Sequence, residues 1–460
     1  MVERVYGDQN FRFSQVTESV FVTPVGADGE NEVSKSNPLP ISFGDSSSLD
    51  SFGRLRVSMS HTLFDSQQEY GLDTLRIWDA AANGTLSYST GASDGSITDG
   101  AGNSVGPRNA NTRMVPITCS ATNGHYSILQ SRQYIRYIPG KSHLVFMTGI
   151  FATGASATAS FVCRTSTSGS VVDNSVAQAS WNIDKMDGTG VSGINIDFTK
   201  TQILFISAQW LGVGRVIVGF DVDGVLAPAH EFLNANSLTL PYTQSFNLPV
   251  RFEAQTVTTT TVASVGYFDN ANGIFLKTVT PVAGGTINFV CCSVQTEAGE
   301  ELRGFPISAS NGVTTIGVTT RRPILSIRPK ATYNSLTNRA HIDLEEIAVT
   351  AQTNAAYWEL VIGGTLTGAS FASVGAGSIA ESDVAATAIT GGVSIIKGFV
   401  VAGSGSSKGS STGKLDLRGS LTISQINALA VTQPIVSLVC TSFSGTSNLS
   451  GAFNWHEQVI

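Results

Sequence analysis

The sequence predicts an all-β protein with two or more antiparallel, jelly-roll-like β-sandwich domains behind an extended N-terminal arm. Short runs rich in β-branched and aromatic residues recur along the chain, and Gly, Pro, Asn or Ser residues bound them. Long amphipathic helical patterns are almost absent. No repeat of fixed period is visible, which argues against a β-helix or another solenoid.

The N-terminal part of the chain has the pattern of an arm and a connector. Residues 1–48 are polar, with no obvious core, and residues 49–66 lead into the first domain. We expect residues 67–254 to form a large β-sandwich, with a polar excursion at 81–112, and residues 255–460 to form one or more further β-domains. Residues 403–413, rich in Gly and Ser, predict a loop or hairpin tip.

Individual strands and turns follow from local pattern. Two strands are predicted within 131–146, separated by Pro139-Gly140, and others begin at Ala159, Ile194, Ile203 and Val216. Residues 212–215 predict a turn between two strands. Asp223-Gly224, between apolar runs, predicts a type I′ hairpin turn, in which both central residues need positive φ. Ser424 to Leu429 predicts a short helix, and Met186 a further helical turn.

Composition and charge exclude several classes of protein. Hydrophobic residues make up 42% of the 460 residues, charged residues only 13%, and 47 residues are Gly, so neither disorder nor a coiled coil is expected. The length predicts two or three domains. The net charge is −7, and the Lys and Arg residues are scattered, so no nucleic-acid partner is expected.

The cysteines and the N-terminus indicate a protein made in a reducing cytoplasm. The five cysteines are an odd number without CxxC spacing, which argues against a disulfide framework and a zinc site. Cys163, Cys291, Cys292 and Cys440 lie in apolar runs and are expected in the core. Neither a signal peptide nor an apolar run long enough for a membrane span is visible.

No motif for catalysis, cofactor or metal emerges from the sequence. The glycines at 212–219 lack GxGxxG spacing, and a strand follows them where a nucleotide site needs a helix. The loops beginning at Asp184 and Asp221 resemble calcium loops but lack the closing Glu, so Asx and Asp-Gly turns explain them better. The prediction is therefore no catalytic residue, no cofactor and no metal.

A glycan-cleaving enzyme needs two facing carboxylates, and the sequence selects no pair for that role. Glu231 and Glu253 are one candidate pair of carboxylates among many. His230 precedes Glu231, but neighbouring residues on a strand point to opposite faces. Trp181 and Trp210 are candidates for stacking on a sugar, although a Trp on a sandwich strand is more often part of the core.

The connector at 49–66 is the most informative stretch for partners. Apolar anchors and two guanidinium groups in a short segment suit docking onto another surface. The interface candidates are Phe52, Arg54, Leu55, Arg56, Leu63 and Phe64. The alternative is that the apolar members pack on their own sandwich and the arginines face water.

The same connector carries a resemblance to a known group of proteins. The run LDSFGRLRVS at 49–58, followed by TLFDS at 62–66, resembles an element of virion structural proteins of tailed bacteriophages. The resemblance continues at 135–142, 210–220, 230–236, 247–253, 305–312 and 325–331, and so covers most of the chain. These motifs are specific to the group and carry no catalytic residues.

The resemblance implies a structural component of the virion, in the tail, fibre or baseplate region. It implies a homo-oligomer, with a trimer favoured, that contacts other virion proteins through residues 1–66. Three alternatives stay open: a capsid decoration or head-fibre protein, a module that binds host surface glycans through loops such as 81–112 or 403–413, and a glycan depolymerase. The leading prediction places the protein in the virion after synthesis in the host cytoplasm.

Overall fold

The computed structural model describes residues 2–4, 11–16, 19–24, 61–67, 75–80, 97–98, 101–131, 134–297, 304–402, 410–413, 422–424 and 435–458. The chain divides into two compact units, Met1–Val57 and Ser58–Ile460. Nearly all regular structure is antiparallel β, which confirms the predicted fold class. Across the described ranges, the one helix is the short 3₁₀ turn Gln178–Ser180. No helix there is long and apolar enough to span a bilayer.

The N-terminal unit contains a three-stranded antiparallel sheet. Its strands, in the order β1-β2-β3, are β1 Val2–Arg4, β2 Phe11–Val16 and β3 Ser19–Pro24. The second and third strands form a hairpin in which Val16 pairs with Ser19. The segment expected to be an extended arm therefore includes paired strands.

The second unit begins with a two-layer sandwich. Its strands are β4 His61–Gln67, β5 Leu75–Ala80, β6 Ile97–Thr98, β7 Ser104–Val105, β8 Val115–Cys119, β9 Tyr126–Ser131, β10 His143–Ile150, β11 Thr158–Thr165, β12 Val172–Ala177, β13 Gln202–Ala208, β14 Val216–Val222, β15 Val225–Phe232, β16 Val250–Val257, β17 Thr260–Phe268, β18 Gly273–Thr280 and β19 Gly285–Thr296. One sheet has the order β15-β14-β13-β10-β19-β8-β7-β6, and β4 also pairs with β19. The other has the order β12-β11-β18-β17-β16-β9-β5.

The core of this first sandwich lies between its two sheets. Strand β10 alternates buried and half-buried residues along its whole length, as expected when one face of a strand meets the opposite sheet. Val145 and Met147 from β10 share one continuous apolar cluster with Phe161 and Phe252 of the other sheet. Burial of this apolar surface is the main favourable contribution to folding.

A second sandwich follows. Its strands are β20 Phe305–Ser310, β21 Ile316–Val318, β22 Arg322–Pro329, β23 Thr332–Tyr333, β24 Leu336–Thr337, β25 His341–Ala351, β26 Ala356–Ile362, β27 Thr365–Thr367, β28 Ala372–Ser373, β29 Ala380–Asp383, β30 Ala388–Thr390, β31 Val393–Val400, β32 Ser410–Gly413, β33 Thr422–Ser424, β34 Val436–Ser442 and β35 Ser447–Gln458. One sheet has the order β20-β35-β25-β32, with β21 on β35 and β33 on β25. The other has the order β28-β29-β22-β34-β26-β31. Trp455, Phe453 and Leu438 belong to the core between them.

The boundary between the sandwiches lies later than the sequence-based division at residue 254. Strands β17, β18 and β19 follow residue 254, yet all three belong to the first sandwich. Strand β18 lies between β11 and β17 in one sheet, and β19 lies between β10 and β8 in the other. Strand β4, placed in the connector by the sequence, pairs with β19. The described sandwiches therefore cover 61–297 and 304–458. Pairing between distant strands leaves no local sequence pattern, which is why the sequence places the division earlier than the strand pairing does.

Several local predictions are confirmed. Strands β11, β13 and β14 lie where runs from Ala159, Ile203 and Val216 were predicted. Asp223 and Gly224 both have positive φ, 55° and 83°, and they join β14 to β15 as the predicted type I′ turn does.

Other local predictions are wrong. The runs at 134–138 and 194–198 form no ladder, and their pairing is limited to isolated bridges from Ile135 to Leu248 and from Asn195 to Asp187. Apolar burial, not strand pairing, accounts for the pattern at 134–138. Met186 has a φ of 51°, which excludes a helical turn. Ser424 ends a strand, and residues 425–429 lie outside the described part.

Candidate functional site

The interface candidates from the connector fall into two groups. Phe52, Arg54, Leu55 and Arg56 lie outside the described residues. Leu63 and Phe64 lie on β4, where Phe64 pairs with Val294 of β19. Phe64 is buried in the core of the first sandwich, and Leu63 packs partly against the same core. Their contact within the chain is thus with their own sandwich, while contact of the connector with another subunit stays a prediction.

The carboxylates that the sequence offered for glycan cleavage lie on different sheets. Glu231 is on β15 and accepts a hydrogen bond from Arg215 Nε at 2.7 Å. Glu253 is on β16 and pairs with the buried Arg251. Each carboxylate is held by its own arginine, and the two lie in different sheets of the first sandwich.

His230 and Glu231 point in different directions, as the strand geometry requires. The His230 ring is buried and lies edge-on to Phe232, with centroids 4.6 Å apart. Burial lowers the pKa of His230 below its ordinary value. The ring accepts a hydrogen bond from the Asn182 amide at 3.3 Å, which is a structural use of this side chain.

The two acidic loops are closed by hydrogen bonds to their own backbone. Asp184 accepts the amides of Met186 at 2.8 Å and Ser192 at 2.7 Å, and these bonds oppose burial and lower its pKa. Asp221 accepts the Gly224 amide at 2.9 Å. These are Asx-type turns. Within the described ranges, no group of three or more His, Cys, Asp or Glu side chains is arranged to hold a metal ion.

The cysteines are free thiols, and most are core residues. Cys119, Cys163, Cys292 and Cys440 are buried, while Cys291 is half-buried. Burial raises the pKa of Cys163 and of Cys440 to about 12, so both thiols stay protonated at neutral pH. The expected core placement is therefore confirmed for all but Cys291.

The tryptophans considered for sugar stacking are packing residues. Trp181 is buried, and its ring lies 4.5 Å from that of Phe161. Trp210 is half-buried and meets Tyr137 edge-on at 5.9 Å. Trp181 therefore has no face open to a sugar, while Trp210 is only partly covered by the core.

The two sandwiches are joined by buried polar contacts. Arg339, just before β25, donates to Asp269 in the β17–β18 turn at 2.7 Å, with side-chain exposures of 17% and 6%. The Arg339 guanidinium also lies 5.3 Å from the centre of the Tyr134 ring. His341 Nε2 donates to the Tyr134 carbonyl at 2.6 Å. Because these groups are largely shielded from water, the contacts are strong and hold the sandwiches as one body.

An exposed apolar surface on the second sandwich was missed by the sequence analysis. It lies on the outward side of β31 and consists of Ile395, Phe399, Val401 and Phe443; we call it the β31 face. The available signal was the run VSIIKGFVV at 393–401, which places apolar residues on both sides of the strand. Such a surface suits contact with another macromolecule.

Comparisons with known proteins add only fold likeness. No family model and no curated protein matches the chain. A lectin from Bauhinia forficata in complex with GalNAc is 10% identical, covers 52% of this chain and 98% of its own, and has a TM-score of 0.17. An alginate lyase in complex with dimannuronate is 8% identical, covers 51% and 92%, and has a TM-score of 0.20.

A viral structure is also among the similar folds. It is described as the triple jelly roll fold and turret assembly of an archaeal virus, and it is 10% identical to this chain. The match covers 75% of this chain and 59% of that chain, with a TM-score of 0.18. At these TM-scores the likeness concerns the class of fold and says nothing about function.

Proposed function

We propose that this chain is a structural component of a tailed-phage virion, located in the tail, fibre or baseplate region. It forms a rigid homo-oligomeric β-scaffold and attaches to the particle through residues 1–66. One observation carries the proposal: the phage-like element at 49–66 spans the division between the two compact units, at Val57 and Ser58. An element at that position is suited to link a separately folded attachment unit to the sandwich body.

The sandwich body has the stiffness that such a role requires. Its two cores are continuous and apolar, and the Asp269–Arg339 pair joins them across the junction. Long strands such as β25 and β35 pair over most of their length. Local unfolding of such a body is disfavoured, because its opening would expose core strands.

A capsid decoration or head-fibre role is the main alternative within the virion. Both roles use a rigid β-body and an attachment segment, so the fold does not separate them. The number of copies in each particle does, because tail components follow the symmetry of the tail and decoration proteins follow that of the shell.

Removal of the N-terminal unit tests the attachment. The truncated chain should begin at Ser58, because β4 starts at His61 and its pairing with β19 must be kept. We expect Ser58–Ile460 to stay soluble and folded but to be absent from purified particles, with the full-length chain supplied in the same way as the control. Incorporation of the truncated chain at the full-length level would refute attachment through residues 1–57.

A further inference from the structure

The contacts described between the two sandwiches are polar, and they lie outside both apolar cores. The apolar cluster of the first sandwich contains residues between 63 and 294, that of the second contains residues between 307 and 455, and the two clusters share no member. Within the described ranges, no strand of one sandwich pairs with a strand of the other. Separation of the sandwiches therefore exposes little of either core and costs much less than unfolding of either one.

The outer face of the sheet that contains β25 and β35 supplies one side of this junction. His341 and Asp343, two residues apart on β25, share that face, and Gln458 of β35 lies opposite His341 in the ladder. Gln458 Nε2 donates a hydrogen bond to the Asp343 carboxylate. Ile342 and Leu344 belong to the core on the other side of the sheet. His341, Asp343 and Gln458 are nevertheless only 6%, 3% and 3% exposed, so this end of the outer face is covered from outside the sheet.

Residues 134–136 of the first sandwich supply part of that cover. The Tyr134 carbonyl accepts the 2.6 Å hydrogen bond from His341, and Arg136 is close enough for its charge to act on the same ring. Tyr134 is 1% exposed but belongs to neither apolar cluster. Its ring lies beneath the Arg339 guanidinium of the second sandwich. The burial of Tyr134 therefore depends on contact between the two sandwiches.

The charged groups at this junction balance one another while the His341 ring is neutral. Arg136 and Arg339 supply two positive charges, and Asp343 and Asp269 supply two negative charges. Asp269 is already paired with Arg339 at 2.7 Å. Of the other two, Asp343 favours a protonated His341 ring and Arg136 opposes it. A proton on His341 therefore adds one positive charge that these four groups do not neutralise.

Burial lowers the pKa of His341 below its ordinary value of 6.5, and the charge of Arg136 lowers it further, against the opposing effects of Asp343 and the bond to Tyr134. A ring freed by separation of the sandwiches regains the ordinary pKa and binds more protons. The closed junction is therefore fully stable above pH 6.5 and loses stability as the pH falls toward the lowered pKa. While the closed ring stays neutral, the ratio of separated to closed molecules rises about tenfold for each pH unit.

The other histidine on the outer face of this sheet acts within the second sandwich. His456 of β35 lies opposite Asp343 in the ladder, and its Nδ1 is 3.2 Å from a carboxylate oxygen of Glu345. Protonation of His456 strengthens this pair, whose two members belong to the same sheet. His341 is thus the histidine whose charge bears on the contact between the sandwiches.

We propose that the junction is a pH-sensitive hinge, closed at neutral pH and opened in mild acid by uptake of a proton on His341. A buried charge without a partner is costly, and separation of the sandwiches returns that charge to water. Each sandwich keeps its own core, so the two separate as folded bodies. Protonation of a buried histidine at an interface is a general means by which proteins respond to pH. This property of the purified chain does not depend on the virion role.

Two tyrosines of the full-length protein provide a matched test. Tyr134 and Tyr267 are both buried, but Tyr267 lies in the core of the first sandwich, where its hydroxyl donates to the Phe246 carbonyl at 3.1 Å. Oxidation of each tyrosine by hydroxyl radicals is measured by mass spectrometry between pH 7.5 and pH 5. We expect the ratio of Tyr134 to Tyr267 oxidation to rise about fivefold or more over this range. Small-angle X-ray scattering of the same samples should show a larger radius of gyration at pH 5.

Substitution of the histidine assigns the effect. His341→Gln removes the titrating ring but keeps an N–H group for the Tyr134 carbonyl, so Tyr134 should stay protected at pH 5. His143→Phe removes a buried histidine of the first core and should keep the response of the unsubstituted protein. If His341→Gln fails to fold, shown by oxidation of Tyr267 at pH 7.5, the unsubstituted protein decides alone.

Three results would overturn the hinge. The first is an unchanged ratio of Tyr134 to Tyr267 oxidation between pH 7.5 and pH 5 in the unsubstituted protein. The second is an equal rise for both tyrosines, which would mean that the first sandwich itself unfolds. The third is a full response in a folded His341→Gln variant, which would assign the opening to another group.

Discussion

The junction between the sandwiches gives the sharpest prediction about stability. Asp269 uses one oxygen to accept the amides of Ala271 and Asn272, both at 2.8 Å, and the other to accept Arg339 at 2.7 Å. Asp269→Asn keeps an oxygen for the turn but removes the charge that faces Arg339. Breaking a buried pair by removing one charge costs about 3–5 kcal/mol. The 17% exposure of Arg339 places the expected cost near the lower end, about 3 kcal/mol.

A matched control comes from a more exposed pair in the same sandwich. Arg164 binds Asp173 through two hydrogen bonds of 2.7 and 3.0 Å, but the side chains are 22% and 31% exposed. Asp173→Asn should therefore cost about 0–1 kcal/mol. The chemistry of the two substitutions is the same, so the difference isolates burial at the junction.

Thermal unfolding and urea denaturation at pH 7 measure both variants. At about 2–4 °C for each kcal/mol in a domain of this size, we expect the Asp269→Asn midpoint to fall by about 6–12 °C and that of Asp173→Asn by less than about 4 °C. Equal shifts for the two variants would refute the claim that the junction is a buried, tightly coupled contact.

Three further predictions concern a turn, the thiols and pH. Gly224→Ala should destabilise the protein by about 1 kcal/mol, since Gly224 has a φ of 83°, whereas Gly375→Ala, at a position with open space, should be neutral; urea midpoints compare them. Cys163 and Cys440 should resist a thiol reagent at pH 8 until the protein unfolds, and rapid modification of either would contradict their burial. Burial lowers the pKa of His143 from 6.5 to about 4, so the unfolded chain binds more protons in this window, and stability should fall by up to about 3 kcal/mol as the pH drops from 6.5 to 4. His143→Phe should lessen that fall in urea titrations at both pH values, and an unchanged pH dependence would contradict the assignment.

Local features of the fold were predictable from the sequence because their causes are local. The Asp223-Gly224 turn follows from the need for positive φ, and β11, β13 and β14 follow from runs of β-branched and aromatic residues. The strand predicted at 134–138 is wrong because Tyr134, Ile135 and Tyr137 are buried for packing, without a partner strand along them. An apolar sequence pattern indicates that residues are buried, but it does not show whether they pair with another strand.

The candidate surfaces were harder to predict than the strands. The junction depends on Arg339 meeting Asp269, seventy residues earlier in the chain, and nothing in either local sequence signals the other. The β31 face was in principle visible, since 393–401 has apolar residues on both sides of a strand. The sequence does not show, however, that Ile389 of β30 covers Val361 and Val439 while Phe399 stays exposed, because this depends on how the chain folds over its own sheet.

The most direct test of the proposed virion role is the copy number and position of this chain in purified particles. Quantitative mass spectrometry gives the copy number, and density imaging of the same preparation gives the position. We expect a small number of copies set by the symmetry of the tail, with density at the tail, fibre or baseplate. Hundreds of copies over the shell would assign the protein a decoration role, and its absence from purified particles would contradict a structural role in the virion.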